Sequence, residues 1–464
     1  MQSVNRPRGL VVAGLGGGSG KSLVSVGLAA AFARQGRTVI TFKKGPDYID
    51  AGWLSLAAAH HCYNLDAFLM PAETMLQSFY EHAGQGEIII VEGNRGLYDG
   101  VDSAGTYSTA ELAKSLGLPI LLVVDCTKTT RTVAAMVLGC QQLDKEVDLR
   151  GVVLNRVGSK RHEDIVRQAV EKYTGVPVVG AIPRSKHDVF PQRHLGITPC
   201  PEHSGAEEAI DSLAEKAMKY LDLVAVYKLM ADVPEKLMTH DAVYSDSENI
   251  SRIVRIGVLR DAAFQFYYAE NLEALKEAGA ELVEINALTA SELPVIDGLY
   301  IGGGFPETSA GQLSANISFR QSVKMAAAQG LPIYAECGGL IYLGGSMVLE
   351  GEDFPLVGIF PVKFGLEKRP QAHGYTELET TGDNPFYPVG TEIKGHEFRY
   401  SKILSWTGKV DSLALEMKRG VGFVGGKDGL VYNNVLALYT HIHALGTPEW
   451  APALVAKARE YSGK

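Results

Sequence analysis

The sequence predicts an α/β protein of two domains, each built on a largely parallel sheet. Three observations lead there. Short runs of Val, Ile and Leu alternate with helical stretches up to about residue 185, the pattern of strands covered on both faces. A second series of such runs starts at "RIGVLRD" (255–261). Between them lies a polar stretch, "MTHDAVYSDSENIS" (238–251), that reads as a linker. A chain of 464 residues is also too long for one ordinary core. The expected limits are 1–245 and 246–464.

In chain order, "GLVVAGL" (9–15) is the first strand, and "SLVSVGLAAAFARQG" (22–36) is a helix ending at glycine. Strands follow at 38–45, 87–93, 119–126, 149–157 and 176–184, with helices at 109–116, 131–144 and 162–173. The chain is helical and polar around 205–250. In the second half, strands are expected at 255–261, 280–287, 296–304, 331–337, 357–362 and 435–443. No internal repeat or low-complexity tract interrupts either series.

Apolar residues are 46% of the chain and charged residues 21%, a globular rather than disordered balance. The net charge of −9 and the lack of a long basic run argue against nucleic acid as the main partner. No apolar segment is long enough to span a bilayer. The arginine-led N-terminus runs into a glycine loop too early to be a signal peptide. Five scattered cysteines suit reduced thiols in a cytoplasm better than a disulfide frame or a zinc site.

"AGLGGGSGKS" stands between the first strand and the first helix, the order a phosphate-binding P-loop requires. Gly17, Gly18, Ser19 and Gly20 would turn backbone N–H groups onto an anion, helped by the helix N-terminus. Lys21 would reach the β- and γ-phosphates of ATP, and the Ser22 hydroxyl would bind Mg²⁺. The alternative is a glycine turn that binds nothing. The spacing Gly14-x5-Gly20-Lys21-Ser22 is one residue longer than the strict pattern. It resembles the dethiobiotin synthetase and septum-site ATPase branch of P-loop proteins.

"FKKGPDYID" (42–50) and "VEGNRGLYDG" (91–100) end the next strands, at the edge where an open α/β sheet binds ligands. Glu92 and Asp47 are candidate Mg²⁺ ligands with Ser22. Asp47, Tyr48, Asp50, Tyr98 and Asp99 are candidates for the substrate edge, with Lys21, Lys43, Lys44 and Arg95 available to offset the charge. Asp, Gly and Pro also favour plain solvated turns.

"LPIYAECGGL" reads strand, sharp turn, helix, the nucleophile-elbow arrangement, with Cys337 at the bend. A lone cysteine is usually a small buried hydrophobe. Here "YTHIHALG" (439–446) supplies His441 as a base, and His443 beside it. "IGGGFPE" (301–307) offers Gly303 and Gly304, with Gly338, as an oxyanion hole.

"KGPDYID", "NLDAFLM", "GLYDG", "RHLGI", "RDAAFQFYYAENL", "GGGFPE", "AECGGLIYL" and "GHEFRYS" come in the order found in cobyrinic acid a,c-diamide synthases, which the chain resembles along nearly its whole length. The resemblance implies a dethiobiotin synthetase-like, ATP-dependent amidoligase domain fused to a class I glutamine amidotransferase domain. It implies attack on glutamine by Cys337 with help from His441. His443 stands where most class I glutaminases carry a glutamate, which leaves a Cys–His dyad. The resemblance further implies a tetrapyrrole polycarboxylate substrate, an acyl phosphate intermediate, a shielded ammonia path and a homodimer. From dethiobiotin synthetase-like proteins it carries adenine contacts to Asn155 and Arg156. Four departures, "GNRGLYDG", "AGWLSLAA", Arg399 and "GLGGGSGKS", look closer to an offshoot that amidates sirohydrochlorin or sirohaem. Two readings compete: a P-loop assembly ATPase with a docking domain, and a ligase with a dead appendage that uses bicarbonate or free ammonia.

Overall fold

A run such as Ile88–Glu92 is apolar on both pleat faces, so it is stable only with helices on both sides. The computed structural model places seven such runs side by side. It describes residues 6–185, 192–193, 196–200, 205–234 and 253–463. The linker 238–251, the boundary at 245 and the centre of "RHLGI" lie outside the described residues. The chain forms two compact units, Met1–Ala67 with Ala72–Thr239 and Phe68–Pro71 with His240–Lys464.

In the first unit the elements run β1 (Arg8–Gly14), α1 (Lys21–Arg34), β2 (Val39–Lys44), α2 (Tyr48–Ala58), β3 (Cys62–Leu65), α3 (Ala72–Ala83), β4 (Ile88–Glu92), α4 (Thr109–Leu116), β5 (Ile120–Asp125), α5 (Thr132–Leu143), β6 (Leu149–Val157), α6 (Lys160–Thr174) and β7 (Val178–Pro183). The strand order is β3-β2-β4-β1-β5-β6-β7, all parallel. A two-stranded pair comes next, β8 (Gln192–Arg193) with β9 (Gly196–Ile197). Helices α7 (Ala206–Tyr220) and α8 (Leu223–Leu229) come after it, and β10 (Ala231–Asp232) pairs antiparallel with the start of β1. Helix α7 packs on α1 at Gly27, where a Cβ would come within 3.1 Å of the Leu213 carbonyl.

The second unit holds β11 (Val254–Leu259), α9 (Ala269–Glu277), β12 (Ala280–Ile285), β13 (Gly298–Ile301), α10 (Ala310–Ala315), α11 (Ile317–Ala328), β14 (Ile333–Glu336) and α12 (Gly338–Leu343). A mostly antiparallel part, with β15 and β17 paired in parallel, succeeds it: β15 (Ser346–Leu349), β16 (Glu352–Pro355), β17 (Val362–Leu366), β18 (Ala372–Thr380), β19 (Glu392–Arg399), β20 (Ser401–Trp406), β21 (Leu415–Arg419), β22 (Lys427–Asp428) and β23 (Leu430–Tyr432). The chain ends with β24 (Val435–Leu438), β25 (His441–Ile442) and α13 (Trp450–Ser462). The main sheet is β12-β11-β13-β14-β24-β23, with only β23 antiparallel. Two further sheets, β16-β15-β17-β20 and β22-β21-β18-β19-β25, stand beside it.

The structure corrects two expected strands. Residues 357–361 are not extended. The N–H groups of Val357, Gly358, Ile359 and Phe360 bond the carbonyls of Tyr342, Gly344 and Leu343, so this apolar run wraps the end of α12 and the strand starts only at Val362. The run 435–443 is not one strand but two. Asp428, fully buried, accepts the N–H groups of Tyr439 and Thr440 at 3.0–3.2 Å and that of Gly429 at 2.9 Å. The chain therefore leaves the parallel sheet after β24 and crosses to β19 as β25, with His441 opposite His396. The strand β3 and the helices α2 and α3 are additions to the expected elements.

All five cysteines are free. No helix among the described residues is long and apolar enough to cross a membrane.

Burial, with Glu397 next in effect, pushes the Asp428 carboxyl up to about 7. A folded-state value raised above the unfolded one makes its contribution full below the ordinary aspartate range and lost as pH rises through the folded value. Replacing Asp428 with Asn removes one acceptor oxygen from this brace and should cost about 1–3 kcal/mol. Urea midpoints should show the gap between wild type and Asp428→Asn widest at pH ~4 and below, and smaller by pH ~8. A gap that grows with pH contradicts the assignment.

Candidate active sites

In the first unit, β1, β2 and β4 are neighbours, so the loops at their carboxyl ends converge. After β1 the loop turns at Gly18 (φ +74°) and Gly20 (φ +99°). At Gly20 only glycine fits on a second count, because a Cβ would lie 2.1 Å from the Asn155 amide nitrogen. At Gly16, Gly17 and Gly18 a Cβ would meet nothing within 4 Å, which leaves the loop's outer face open to a bulky anion. The Ser19 hydroxyl donates to the Gly16 carbonyl, and Lys21 Nζ donates to the carbonyls of Gly16 (3.1 Å) and Arg95 (2.7 Å). Burial and the neighbouring Lys43 lower the Lys21 pKa.

Lys43 is the centre of this site, although its place in the sequence suggests no more than a charge-offsetting part. Its ammonium, 1% exposed, donates to Glu92 (2.9 Å) and Asp50 (2.7 Å) and stands 3.8 Å from Asp47. Burial opposes its charge, yet Asp50 and Glu92 hold its pKa well above the lysine range. Glu92, fully buried, accepts the hydroxyls of Ser22 (2.8 Å) and Ser25. Burial pushes it up to about 7 against the pull of Lys43. Asp47 is pushed to about 6 by burial and by Asp50. Asp50 is lowered, because Lys43 more than offsets its burial.

The expected site residues divide. Ser22, Asp47, Asp50 and Glu92 come together. The Asp47 Oδ1 also caps α2 by accepting from Ile49 and Asp50. Tyr48 opens that helix. The Tyr98 hydroxyl goes instead to the Cys140 carbonyl (2.5 Å) on α5, and Asp99 accepts the Gly96 N–H within its own loop. Asn155 donates to the Ser19 carbonyl (2.9 Å), and Arg156 pairs with Asp125 (2.6 Å). So Asn155 braces the phosphate loop. The oxygens of Ser22, Asp50 and Glu92 are hard donors of the kind Mg²⁺ takes. No three His, Cys, Asp or Glu side chains among the described residues are placed to hold a metal by themselves.

In the second unit the strand ends of β13, β14 and β24 adjoin. Cys337 sits at the elbow with φ 48°, ψ −96°, a strained left-handed backbone. Its N–H extends the ladder to the Leu438 carbonyl (2.8 Å). The His441 side chain bonds Cys337, and its Nδ1 stands 3.5 Å from Glu336 Oε2. Burial lowers the His441 pKa, but Cys337 and then Glu336 bring it up to about 10. Its ring stacks on His396 (4.9 Å, 19°) and turns its Cε1 edge to Gly303, where a Cβ would come within 2.2 Å of that atom. Burial, then His441, hold the His396 pKa well below the usual value.

Gly303 gives clearance to the Cε1 edge of the His441 ring, and its carbonyl accepts from Gln265 and Phe266. The backbone nitrogen of Gly304 lies 3.0 Å from where a Gly338 Cβ would stand, so Gly304 adjoins Gly338, the residue after Cys337. A carboxylate also stands beside the Cys337–His441 pair. Glu336, fully buried, accepts the Ile442 N–H (3.3 Å) and the Tyr300 hydroxyl (3.2 Å) while facing His441. Its signal in the sequence is "AECGG", where it is the residue before the nucleophile. His443 is occupied elsewhere: its Nδ1 accepts the Leu445 N–H, and its Nε2 stands 3.7 Å from Glu270.

Known proteins resemble both units. Residues 10–195 match the model of the CobQ/CobB/MinD/ParA nucleotide binding domain, and residues 255–449 that of the CobB/CobQ-like glutamine amidotransferase domain. The chain is 42% identical to a cobyrinate a,c-diamide synthase of Magnetococcus marinus, over 95% of each chain. It is 40% identical to one of Archaeoglobus fulgidus, over 97% of each. To one of Methanothermobacter thermautotrophicus it is 37% identical, over 97% of this chain and all of the relative. With a nucleotide-binding first domain and a glutamine amidotransferase second, matched end to end by such relatives, the chain belongs to the cobyrinate a,c-diamide synthase family of glutamine-dependent carbon–nitrogen ligases.

Proposed function

We propose that this protein amidates acetate carboxylates of a cobyrinate-type tetrapyrrole, with ATP and glutamine, through an acyl phosphate. The observation that carries the reading is the Cys337–His441–Glu336 cluster, in a chain that also holds a phosphate loop backed by Lys43 and Glu92. A docking module or a dead appendage needs no such cluster.

A carboxylate is a poor electrophile until an oxygen becomes a good leaving group. In the first unit, the Gly16–Ser22 loop would bind the nucleotide's phosphates by backbone N–H groups, and Lys21 would move from its carbonyls to the transferring phosphoryl group. Ser22, Asp50 and Glu92 would hold Mg²⁺, which neutralises charge on the transferring group. Lys43 keeps these carboxylates together before any cation arrives.

In the second unit, the Cys337 thiolate would attack the glutamine amide carbon while the Gly304 and Gly338 N–H groups take the developing oxyanion. The His441 imidazolium would give its proton to the leaving ammonia, and Glu336 would hold the opposite ring nitrogen. Water then hydrolyses the thioester, with His441 as base. The ammonia displaces phosphate from the acyl phosphate.

The direct test is a panel of cobyrinic acid, sirohydrochlorin and its nickel and iron forms, incubated with Mg–ATP and glutamine. Mass spectrometry would count the carboxamides formed. Cobyrinic acid should gain amides. Cys337→Ala should do so with ammonia and not with glutamine. Amidation of sirohydrochlorin forms alone would move the substrate, and intact glutamine beside steady ATP hydrolysis would sink the amidotransferase reading.

Glu336 is a positioning residue on this account. Glu336→Gln should lower glutamine hydrolysis on the order of 100-fold in kcat with little change in KM. Because Glu336 raises the His441 pKa, its loss should move the alkaline limb of the pH profile to lower pH. Glu336→Asp should recover part of the rate. An unmoved limb would leave Glu336 with a purely structural part.

A further inference from the structure

Two buried charged atoms near the thiol have no hydrogen-bond partner among the described residues: Glu397 Oε2 and Arg399 Nε. The side chains are 2% and 8% exposed, and the two atoms face each other at 4.0 Å, too far for a hydrogen bond. Their other atoms are engaged. Glu397 Oε1 accepts the Gly422 N–H (2.9 Å). The Arg399 terminal nitrogens donate to the carbonyls of Ser401 (2.6 Å) and Gly422 (2.8 Å).

The pair is one aromatic ring away from the nucleophile. The β14–β24 register pairs Glu336 with Leu438, and the Cys337 N–H continues it, so Cys337 and Tyr439 leave the ladder side by side. The Arg399 guanidinium lies 3.9 Å from the centre of the Tyr439 ring, and the Tyr439 hydroxyl bonds Ser401 (3.1 Å). Burial raises the Tyr439 pKa, with Cys337 adding to it and Arg399 opposing, which accords with this nearness. On β19 the two residues are two apart and share a face, so an acceptor and a donor of opposite charge stand next to each other.

We propose that Glu397 and Arg399 form the subsite that reads the α-ammonium and α-carboxylate of the glutamine donor. A neutral pair with one free acceptor and one free planar donor suits a zwitterion, because each substrate charge meets its opposite and neither is left buried alone. The same pair would turn away an amide whose α-groups are blocked. The inference rests on glutamine hydrolysis at Cys337 and assigns that reaction its donor selectivity.

The test compares L-glutamine, L-glutaminamide (no α-carboxylate) and Nα-acetyl-L-glutamine (no α-ammonium), scoring side-chain deamidation by the full-length protein. Wild type should favour glutamine over both. Arg399→Met should raise KM for glutamine about 10- to 100-fold and erase the preference over glutaminamide, while still rejecting the acetyl compound. Glu397→Gln should do the reverse. Calorimetry with Cys337→Ala asks the same without touching the pair: it should bind glutamine and neither analogue. Equal loss on all three compounds in both variants, or equal binding of all three by Cys337→Ala, would make the pair a latch for the 420–422 turn and overturn the proposal. A wild type that releases no ammonia from glutamine is a different outcome, and it would remove the glutaminase reading itself.

Discussion

A buried carboxylate is stable only where something answers its charge, and both units are arranged around that constraint. In the first, the Lys43 ammonium is the answer. It lets Asp50 and fully buried Glu92 stand within bonding distance of one cation, with Asp47 just beyond. In the second, His441 answers Glu336, three backbone N–H groups answer Asp428, and Arg399 faces Glu397. Each compensation sits at or beside the carboxyl ends of parallel strands, where the backbone can turn and side chains can gather. The fold puts the charges in place, and the charges fix where the chain may turn.

The two units solve opposite chemical problems by the same means. The first must stabilise negative charge that arrives with a polyphosphate, so it keeps cationic and N–H donors at a glycine loop and holds its own carboxylates in check with lysine. The second sets an imidazole beside Cys337, its proton favoured by Cys337 on one side and by Glu336 on the other, strongly enough to overcome burial. The neighbour on the ring's face, His396, is driven toward neutrality by the same burial and by His441 itself. One cation in that stack is supported, and a second is not.

Most of the parallel framework is legible in the sequence, because a strand buried on both faces must be apolar throughout and a helix beside it must not. The strand at 149–157 and the helix at 109–116 have the expected limits. The phosphate loop and the elbow are legible for a similar reason: glycine is the only residue that fits the backbone at Gly20, and a cysteine between strand and glycine pair has few other uses. The antiparallel strands from 362 to 432 are mostly hidden. Their burial alternates loosely, and their register depends on long-range bonds, such as those of Asp428, that local pattern does not carry. The run 357–361 shows the converse. It is apolar like a strand, but its N–H groups are taken by the end of α12. Tyr98 and Asn155 illustrate a further limit. A residue at a strand end can serve its own loop as readily as a ligand, and only the partner decides.

The displaced glutamate is the instructive case. A search for the third catalytic group looks two residues past the histidine, and there this chain has His443, which caps its own turn. The carboxylate that faces His441 is Glu336, on the same peptide segment as Cys337. That position is possible because β14 and β24 are neighbours and Asp428 brings the chain out of β24 so that His441 returns beside the end of β14. The consequence is mechanical as well as electrostatic. Thiol and positioning carboxylate are covalent neighbours on one rigid strand end, so a shift of β14 carries both, and only His441 has to keep register with them. Its ring is confined on one face by His396 and at its Cε1 edge by Gly303, which supplies that register without a further hydrogen bond.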